Sequence, residues 1–520
     1  MKKILILLAF FSFSHFVQCQ EFDTRFEIEV DRYGENFSLH LVKSHIVGIR
    51  SVRKKTLGNN RDAEYFVLKN DLSPEIQNTF TLPDNQDFQW VDVSGDKLVL
   101  LTHYPLKVIQ STINELTIVT IDAASGQLSM VPFISADLSE IEDFHSFENS
   151  SLILGRNAAG LMLQTVDHLK PEILDRKILF DNSYKFLSVN KWAEDKSLTV
   201  LVSKKDYWQK DILHMLTVSE KGEIIEKGSY DLLQDKRTNF RYASVLDFKG
   251  ERFYAGVFGP RNNNHSSGLV NALFNEFEEF TLWRTYLNEL PGFFEGENNP
   301  SPLSRKKRMD RRLKIGRVPV LNETLQLWAL QPTVNGVWQH YEQFSAQLKE
   351  ESDYQRKFIN SFTRQNKYFP SNRFTRELPQ IPGGYKEGTK PFRLSSEYLS
   401  YAAHLIHVDE SHQVTNHFRI PLSSDMQFLP IPSGSFFQTN NKVKYSYFDG
   451  RDILASSFED GVKLYLNKAI PFYHDQKNIE PSSIKLIFDH EGSLLVFGKG
   501  RINDVDGNRK TAFFVERYKL

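Results

Sequence analysis

The chain has 520 residues, with 64 Lys and Arg against 65 Asp and Glu, a formal net charge of −1 and 13% aromatic residues. Near-neutrality removes any overall electrostatic case for nucleic acid or an acidic membrane surface. The one cysteine, Cys19, excludes disulfides and cysteine-ligated metals within the chain, so a chain of this length must be held by its own core.

Residues 1–19 read as a secretory signal peptide. Lys2 and Lys3 form a basic start, and ILILLAFFSF is an apolar run too short to span a membrane. Val17 and Cys19 fit cleavage after Cys19. A lipoprotein with lipid on Cys19 is the lesser alternative, because Gln18 stands where a lipobox wants a small residue. The expectation is an exported chain, periplasmic or extracellular, with no transmembrane segment. Two strand-like runs follow, RFEIEV and FSLHLV, and Phe26–Val30 is expected to close the last sheet.

A hairpin unit then recurs. Its clearest copy is Leu198–Ile224, where LTVLVS and DILHMLTV flank the charged aromatic loop KKDYWQK. Both runs are apolar, β-branched and of strand length. Two strands this close form an antiparallel hairpin, and one hairpin alone is marginal in water. Copies begin near 45, 97, 151, 197, 251, 452 and 493, and an eighth pairs Gly336–Gln347 with Tyr398–Val408. Steps of 41 to 54 residues match a four-stranded propeller blade. The expected fold is an all-β propeller of seven or eight four-stranded blades, forming a single domain over 20–520. A closed ring avoids open edge strands.

Two stretches interrupt the period. The first, near 287–320, holds four prolines and the basic run Arg305, Lys306, Lys307, Arg308, Arg311, Arg312 and Lys314. It reads as a loop. The second, near 349–395, carries Pro370, Pro379, Pro382, Pro391 and the Gly383–Gly384 pair. Proline removes ladder donors, so neither stretch reads as sheet. The start of the second reads as a short amphipathic helix, with Leu348, Phe358, Ile359 and Phe362 on one side.

Each motif with chemistry has a plainer reading beside it. The basic run fits phosphate, acidic polysaccharide or anionic lipid, or a solvated loop. Asp504, Asp506 and Asn508 place oxygens at alternate positions like the start of a Ca²⁺ loop, yet Val515 stands at its twelfth position and a hairpin turn suits the same residues. His404, His407, His412 and His417 crowd one segment, but His404 and His407 point to opposite faces of a strand. The loop Gly259–Gly268, GPRNNNHSSG, has amides suited to a sugar or simply to turns. No Gly-x-Ser-x-Gly occurs. A glycosidase's paired carboxylates need no local motif and stay open.

This layout of strand, variable loop, strand and acidic or Gly turn resembles exported bacterial β-propeller-like repeat proteins. WQHYEQFSAQ (Trp338–Gln347) and FYAGVFGPRNNN (Phe253–Asn264) carry the likeness. It departs from WD-repeat and Kelch patterns, with no recurring Trp-Asp and no regular Gly-Gly pair. The resemblance implies no site residue. The expected function is a non-enzymatic binding or scaffold protein that meets a protein or carbohydrate through face loops and insertions. The alternative is a propeller hydrolase or lyase acting on polysaccharide. No cofactor, metal or nucleic acid is expected, and the chain is expected to be a monomer.

Overall fold

The structure, a computed structural model, describes residues 22–30, 37–53, 61–83, 86–108, 111–135, 138–168, 173–261, 265–275, 279–294, 302–321, 323–350, 394–411, 413–423, 432–439, 441–470, 479–503 and 509–520. These form eight separate four-stranded antiparallel sheets, the blades of a β-propeller. Blade 8 is completed from both chain ends. Its outer strand is β1 (Phe22–Val30). Blade 1 is β2 (Phe37–Val42), β3 (His45–Arg53), β4 (Arg61–Lys69) and β5 (Pro74–Thr81). Blade 2 is β6 (Asp87–Ser94), β7 (Lys97–Val108), β8 (Ser111–Asp122) and β9 (Leu128–Ser135). Blade 3 is β10 (Glu140–Ser146), β11 (Ser150–Arg156), β12 (Gly160–Asp167) and β13 (Ile173–Asp181). Blade 4 is β14 (Lys185–Trp192), β15 (Ser197–Lys205), β16 (Asp211–Ser219) and β17 (Ile224–Tyr230). Blade 5 is β18 (Thr238–Phe248), β19 (Glu251–Pro260), β20 (Gly268–Phe274) and β21 (Phe280–Tyr286). Blade 6 follows the helix α1 (Pro302–Lys314) and is β22 (Thr324–Thr333), β23 (Gly336–Glu350), β24 (Leu394–Asp409) and β25 (Val414–Pro421). Blade 7 is β26 (Gly434–Gln438), β27 (Lys442–Phe448), β28 (Ile453–Glu459) and β29 (Val462–Ile470). Blade 8 adds β30 (Lys485–Phe488), β31 (Leu494–Asn503) and β32 (Arg509–Tyr518).

Burial ranks the strands from axis to rim. The first strands pack against one another, β14 on β18 and β18 on β22 among them, and so line the axis. Middle strands touch a neighbouring blade on both faces. That is why β12 is buried at seven of its eight positions, its polar Gln164 and Thr165 included. Fourth strands form the rim, and β5 is exposed at six of eight. Eight hydrophobic clusters fill the seams, one between each pair of adjacent blades. The cluster joining blade 8 to blade 1 sets Phe497, Phe513 and Val515 against Leu39, Ile46 and Phe66, which closes the ring. Beside it β1 pairs with β32 in the register Phe26↔Val515 and Val30↔Thr511.

An axial strand leaves one edge unpaired, and its N–H groups need acceptors. Side chains of the preceding blade supply them. Ser146 N donates to Asp92 Oδ2 at 2.7 Å, Phe240 N to Asp211 Oδ2 at 2.7 Å and Leu325 N to Ser266 Oγ at 2.8 Å. Ser433 N donates to Glu342 Oε2 at 2.9 Å and Phe488 N to Ser435 Oγ at 3.1 Å.

Three expectations need correction. The basic stretch is not all loop: Pro302–Lys314 is helix, seated through buried Met309 beside Leu287, Leu290 and Leu321. Proline is tolerated in a first turn, so Pro302 starts the helix instead of breaking it. The second insertion begins later than expected. Leu348 pairs with Ser396, Lys349 with Ser395 and Glu350 with Leu394, so Leu348 lies in sheet, not helix. The rest of that segment, 351–393, lies outside the described residues. The copy at Asp452–Leu466 pairs the third and fourth strands of its blade, β28 with β29, where the other copies pair second with third. Its second strand, KVKYSYF, mixes lysines with aromatics and lacks the apolar run of its counterparts.

Candidate functional site

Two places gather unusual side chains: the axis at blades 2 to 6, and one face of the ring.

At the axis, five consecutive first strands carry a register shift at corresponding positions, between Phe88 and Trp90, Ile141 and Asp143, Phe186 and Ser188, Phe240 and Tyr242, and Leu327 and Ala329. A bulge inserts one residue and re-aims those after it. Two residues beyond each bulge stands a polar side chain: Asp92, His145, Asn190, Ser244 and Gln331. Ser244 Oγ donates to Asn190 Oδ1 at 2.8 Å, and His145 Nδ1 lies 3.8 Å from Asp92 Oδ2. Lys191 reaches across to Asp92 Oδ2 at 2.7 Å and to Val93 O at 2.8 Å. Asp143 Oδ1 lies 3.7 Å from His145 Nε2 and accepts from Phe144 N at 2.9 Å.

Asp92 and Asp143 flank a single imidazole, so they lie within about 10 Å of each other, the range of a glycosidase pair. Both are already engaged, and the ring of His145 fills the space between them. The polysaccharide-hydrolase reading gains no specific support here. The recurring sequence FQWVD, IEDFH, FLSVN, FRYAS and LWALQ marks this ring in retrospect: apolar, two variable positions, apolar or Ala, polar. Sequence reasoning missed it because the bulge breaks the alternation of a regular strand.

Blade 6 holds two further polar groups inside its seams. Glu342 is fully buried and accepts from Tyr445 Oη at 2.7 Å and Ser400 Oγ at 3.2 Å besides Ser433 N. Burial, reinforced by this carboxylate, pushes the Tyr445 phenol well up. On the opposite face His404 Nδ1 and His417 Nε2 are 3.0 Å apart, and His417 Nδ1 donates to Pro291 O at 2.6 Å. Phe293 stacks on His404 at 4.4 Å. Burial lowers His417 to about 4 and His404 well below its usual value, so both are neutral imidazoles at pH 7. His407 lies on the other face, near Trp338 at 5.0 Å, and His412 is outside the described residues. Among the described residues no group of three His, Cys, Asp or Glu is placed to hold a metal. Asp504, Asp506 and Asn508 lie outside the described residues.

Strands alternate in direction, so second-to-third and blade-to-blade connections emerge together on one face of the ring. Helix α1 lies on this face. It ends in a Schellman cap: Arg317 N donates to Arg312 O at 2.8 Å and Gly316 N to Leu313 O at 2.9 Å. That cap needs the left-handed φ of +69° that Gly316 adopts. Arg305 turns inward to pair with Glu323, and Arg312 Nε donates to Val318 O at 3.0 Å. Lys306, Lys307, Arg308, Arg311 and Lys314 are exposed, and none forms an ion pair with a described residue. Of the basic run, then, Arg305 and Arg312 are structural and the rest face solvent.

The described part of the Gly259–Gly268 loop is an anchor. Ser267 Oγ donates to Pro319 O, and Leu321 N donates to Ser266 O at 2.8 Å. Its serines fasten the helix-bearing connection. Elsewhere a pocket of 290 Å³ opens between blades 4 and 5, lined by Met215, Tyr230, Tyr254 and Phe274. Its charged groups, Arg252 and Glu226, pair with each other.

No protein-family model matches the chain, and no curated protein matches it in sequence. Solved structures match in layout. The β-propeller domain of the Trilobed protease from Pyrococcus furiosus aligns at 10% identity over 85% of this chain and 97% of that chain, with a TM-score of 0.37. Pyrococcus horikoshii acylaminoacyl peptidase aligns at 9% identity over 79% of this chain and 49% of that chain, with a TM-score of 0.33. Cobalt-substituted Synechocystis apocarotenoid oxygenase aligns at 7% identity over 46% of this chain and 57% of that chain, with a TM-score of 0.31. The chain thus spans about half the length of the peptidase and the oxygenase. Likeness at this level carries no argument about activity.

Proposed function

We propose that this propeller is a binding or scaffold protein, and that it meets its partner through the face bearing α1. The observation that supports this reading is the helix itself. Met309, Arg305 and the Schellman cap fix it to the ring, while five exposed cations on its outer side have no counter-ion among the described residues. Like charges held this close repel one another, so an anionic partner relieves them. The carboxylates at the axis and in the seams are bound by the protein's own donors, which leaves the face as the place where charge is free to act.

The test is retention of the full chain on a sulfated-polysaccharide resin, used as a generic polyanion. The wild type is expected to be retained, and K306E/K307E/R308E to elute at markedly lower salt. Charge reversal at the rim, K221E/K227E/K463E, is expected to change elution less. Equal loss from both triple variants would remove the face as the site.

A further inference from the structure

The apolar groups on the same face narrow the partner, and this step rests on the reading just given. The tip of the β15–β16 hairpin carries Tyr207 and Trp208, 88% and 71% exposed. The turn beneath them is closed by Asp206 N donating to Lys210 O at 2.9 Å, Gln209 N to Asp206 O at 3.1 Å and Lys210 N to Asp206 Oδ1 at 2.8 Å. The two rings are therefore held out in water by a bonded turn. Large aromatics exposed this way mark a contact surface.

This tip is joined to the helix. Arg261 donates to Gln209 Oε1 at 2.8 Å, Arg261 N donates to Arg237 O at 2.9 Å, and the Arg237 guanidinium donates to Gly316 O. Next to Gly316 stands Ile315, 66% exposed. Tyr207, Trp208 and Ile315 thus share one face with the exposed cations of α1 and with Arg261 and Arg317. Most other exposed large apolar side chains, such as Ile178, Ile225 and Val462, lie on rim strands.

Chemistry selects among anionic partners. Tyr207 and Trp208 meet edge to face, at 87° and 5.2 Å, so they offer no shared flat platform for successive bases. Ile315 has no ring to stack on a base or a sugar, but suits hydrocarbon. Trp and Tyr favour the boundary between lipid headgroups and acyl chains, and lysine and arginine are drawn to anionic headgroups. We propose that this face seats peripherally on an anionic membrane surface, with Tyr207, Trp208 and Ile315 entering the headgroup layer and the α1 cations lying against the phosphates. No helix among the described residues is long and apolar enough to span a bilayer, and surface binding requires none.

The test is co-sedimentation of the full chain with vesicles of phosphatidylcholine alone and of phosphatidylcholine with about 30% phosphatidylglycerol. Binding is expected only to the anionic vesicles and to weaken with salt, with a blue shift of tryptophan emission that is absent in W208A. Neutralising three helix cations, K306Q/K307Q/R308Q, is expected to weaken partitioning about 100-fold, since each cation near the surface is worth roughly fivefold. Y207A/W208A/I315S is expected to weaken it at least about tenfold with an unchanged circular dichroism spectrum. Retention on the sulfated resin without vesicle binding would overturn the membrane assignment and leave the binding face standing. Vesicle binding that ignores the apolar triple variant would also overturn it, in favour of a simple polyanion surface. Failure on both resin and vesicles would remove both readings.

Discussion

At the ring axis Lys191 lies 2.7 Å from Asp92, which also accepts from Ser146 N; on the connection face Lys306, Lys307 and Arg308 stand exposed and form no ion pair with a described residue. Both regions are charged, and the difference lies in what satisfies the charge. Within the ring Asp92 exchanges water for donors from two other blades, Ser146 N of blade 3 and Lys191 of blade 4, so it ties blades together. On the face water does that work, and a partner can displace it. Removing a charge from the ring should therefore change stability, and removing one from the face should change binding.

The largest effect is expected at Glu342, whose carboxylate joins Tyr445, Ser400 and Ser433 across the seam between blades 6 and 7. Glu342→Ala strands those three buried donors and should lower stability by about 3 kcal/mol. Urea unfolding of both proteins measures it, and an unchanged midpoint would mean that the seam relaxes without the acid. Next comes acid. Burial lowers His40 and His417 to about 4 and holds His404 well below its usual value, against about 6.5 in the unfolded chain. The unfolded state then binds more protons between pH 6.5 and 4, so stability is full above about pH 6.5 and falls below it. Each imidazole held neutral in this way should contribute about 2 kcal/mol of loss between pH 7 and pH 5. The nearby Arg419 and His340 act on His404 in the same direction. A flat urea midpoint over that range would show that these histidines are not held neutral. The smallest effect belongs to the face. K306E/K307E/R308E should shift stability by no more than about 0.5 kcal/mol, as exposed substitutions do. A larger loss would mean that the cations hold α1 in place, which would blur the contrast between ring and face.

Much of the ring was legible in the residues. LTVLVS and DILHMLTV are strand-length apolar runs because a middle strand meets a blade on each face, and their spacing follows from the size of a blade. The eight hairpins located in the sequence all pair in the structure, and β1 closes the ring where Phe26–Val30 pointed. Helix α1 was hidden by composition. Its thirteen residues include Pro302 and six of the seven residues of the basic run precede its last position. Its inward-facing side is too narrow to stand out, with Met309 the one fully buried apolar residue among its described side chains. The Gly316 cap and Pro319 were visible, but they mark the end of a helix only once a helix is suspected. The polar axial ring was equally hidden, because each bulge displaces its polar residue from the alternation that a strand should show.

The amino-acid sequence by itself determined the blade, since strand length, apolar runs and turn residues are local properties repeated along one chain. Only the tertiary structure decided which charges are spent and which are free. Asp92 and Lys191 are 99 positions apart, and Gln209, Arg261, Arg237 and Gly316 belong to different connections. An ion pair, or a shared face, depends on distance in space, and closure of the ring is what brings such distant positions together.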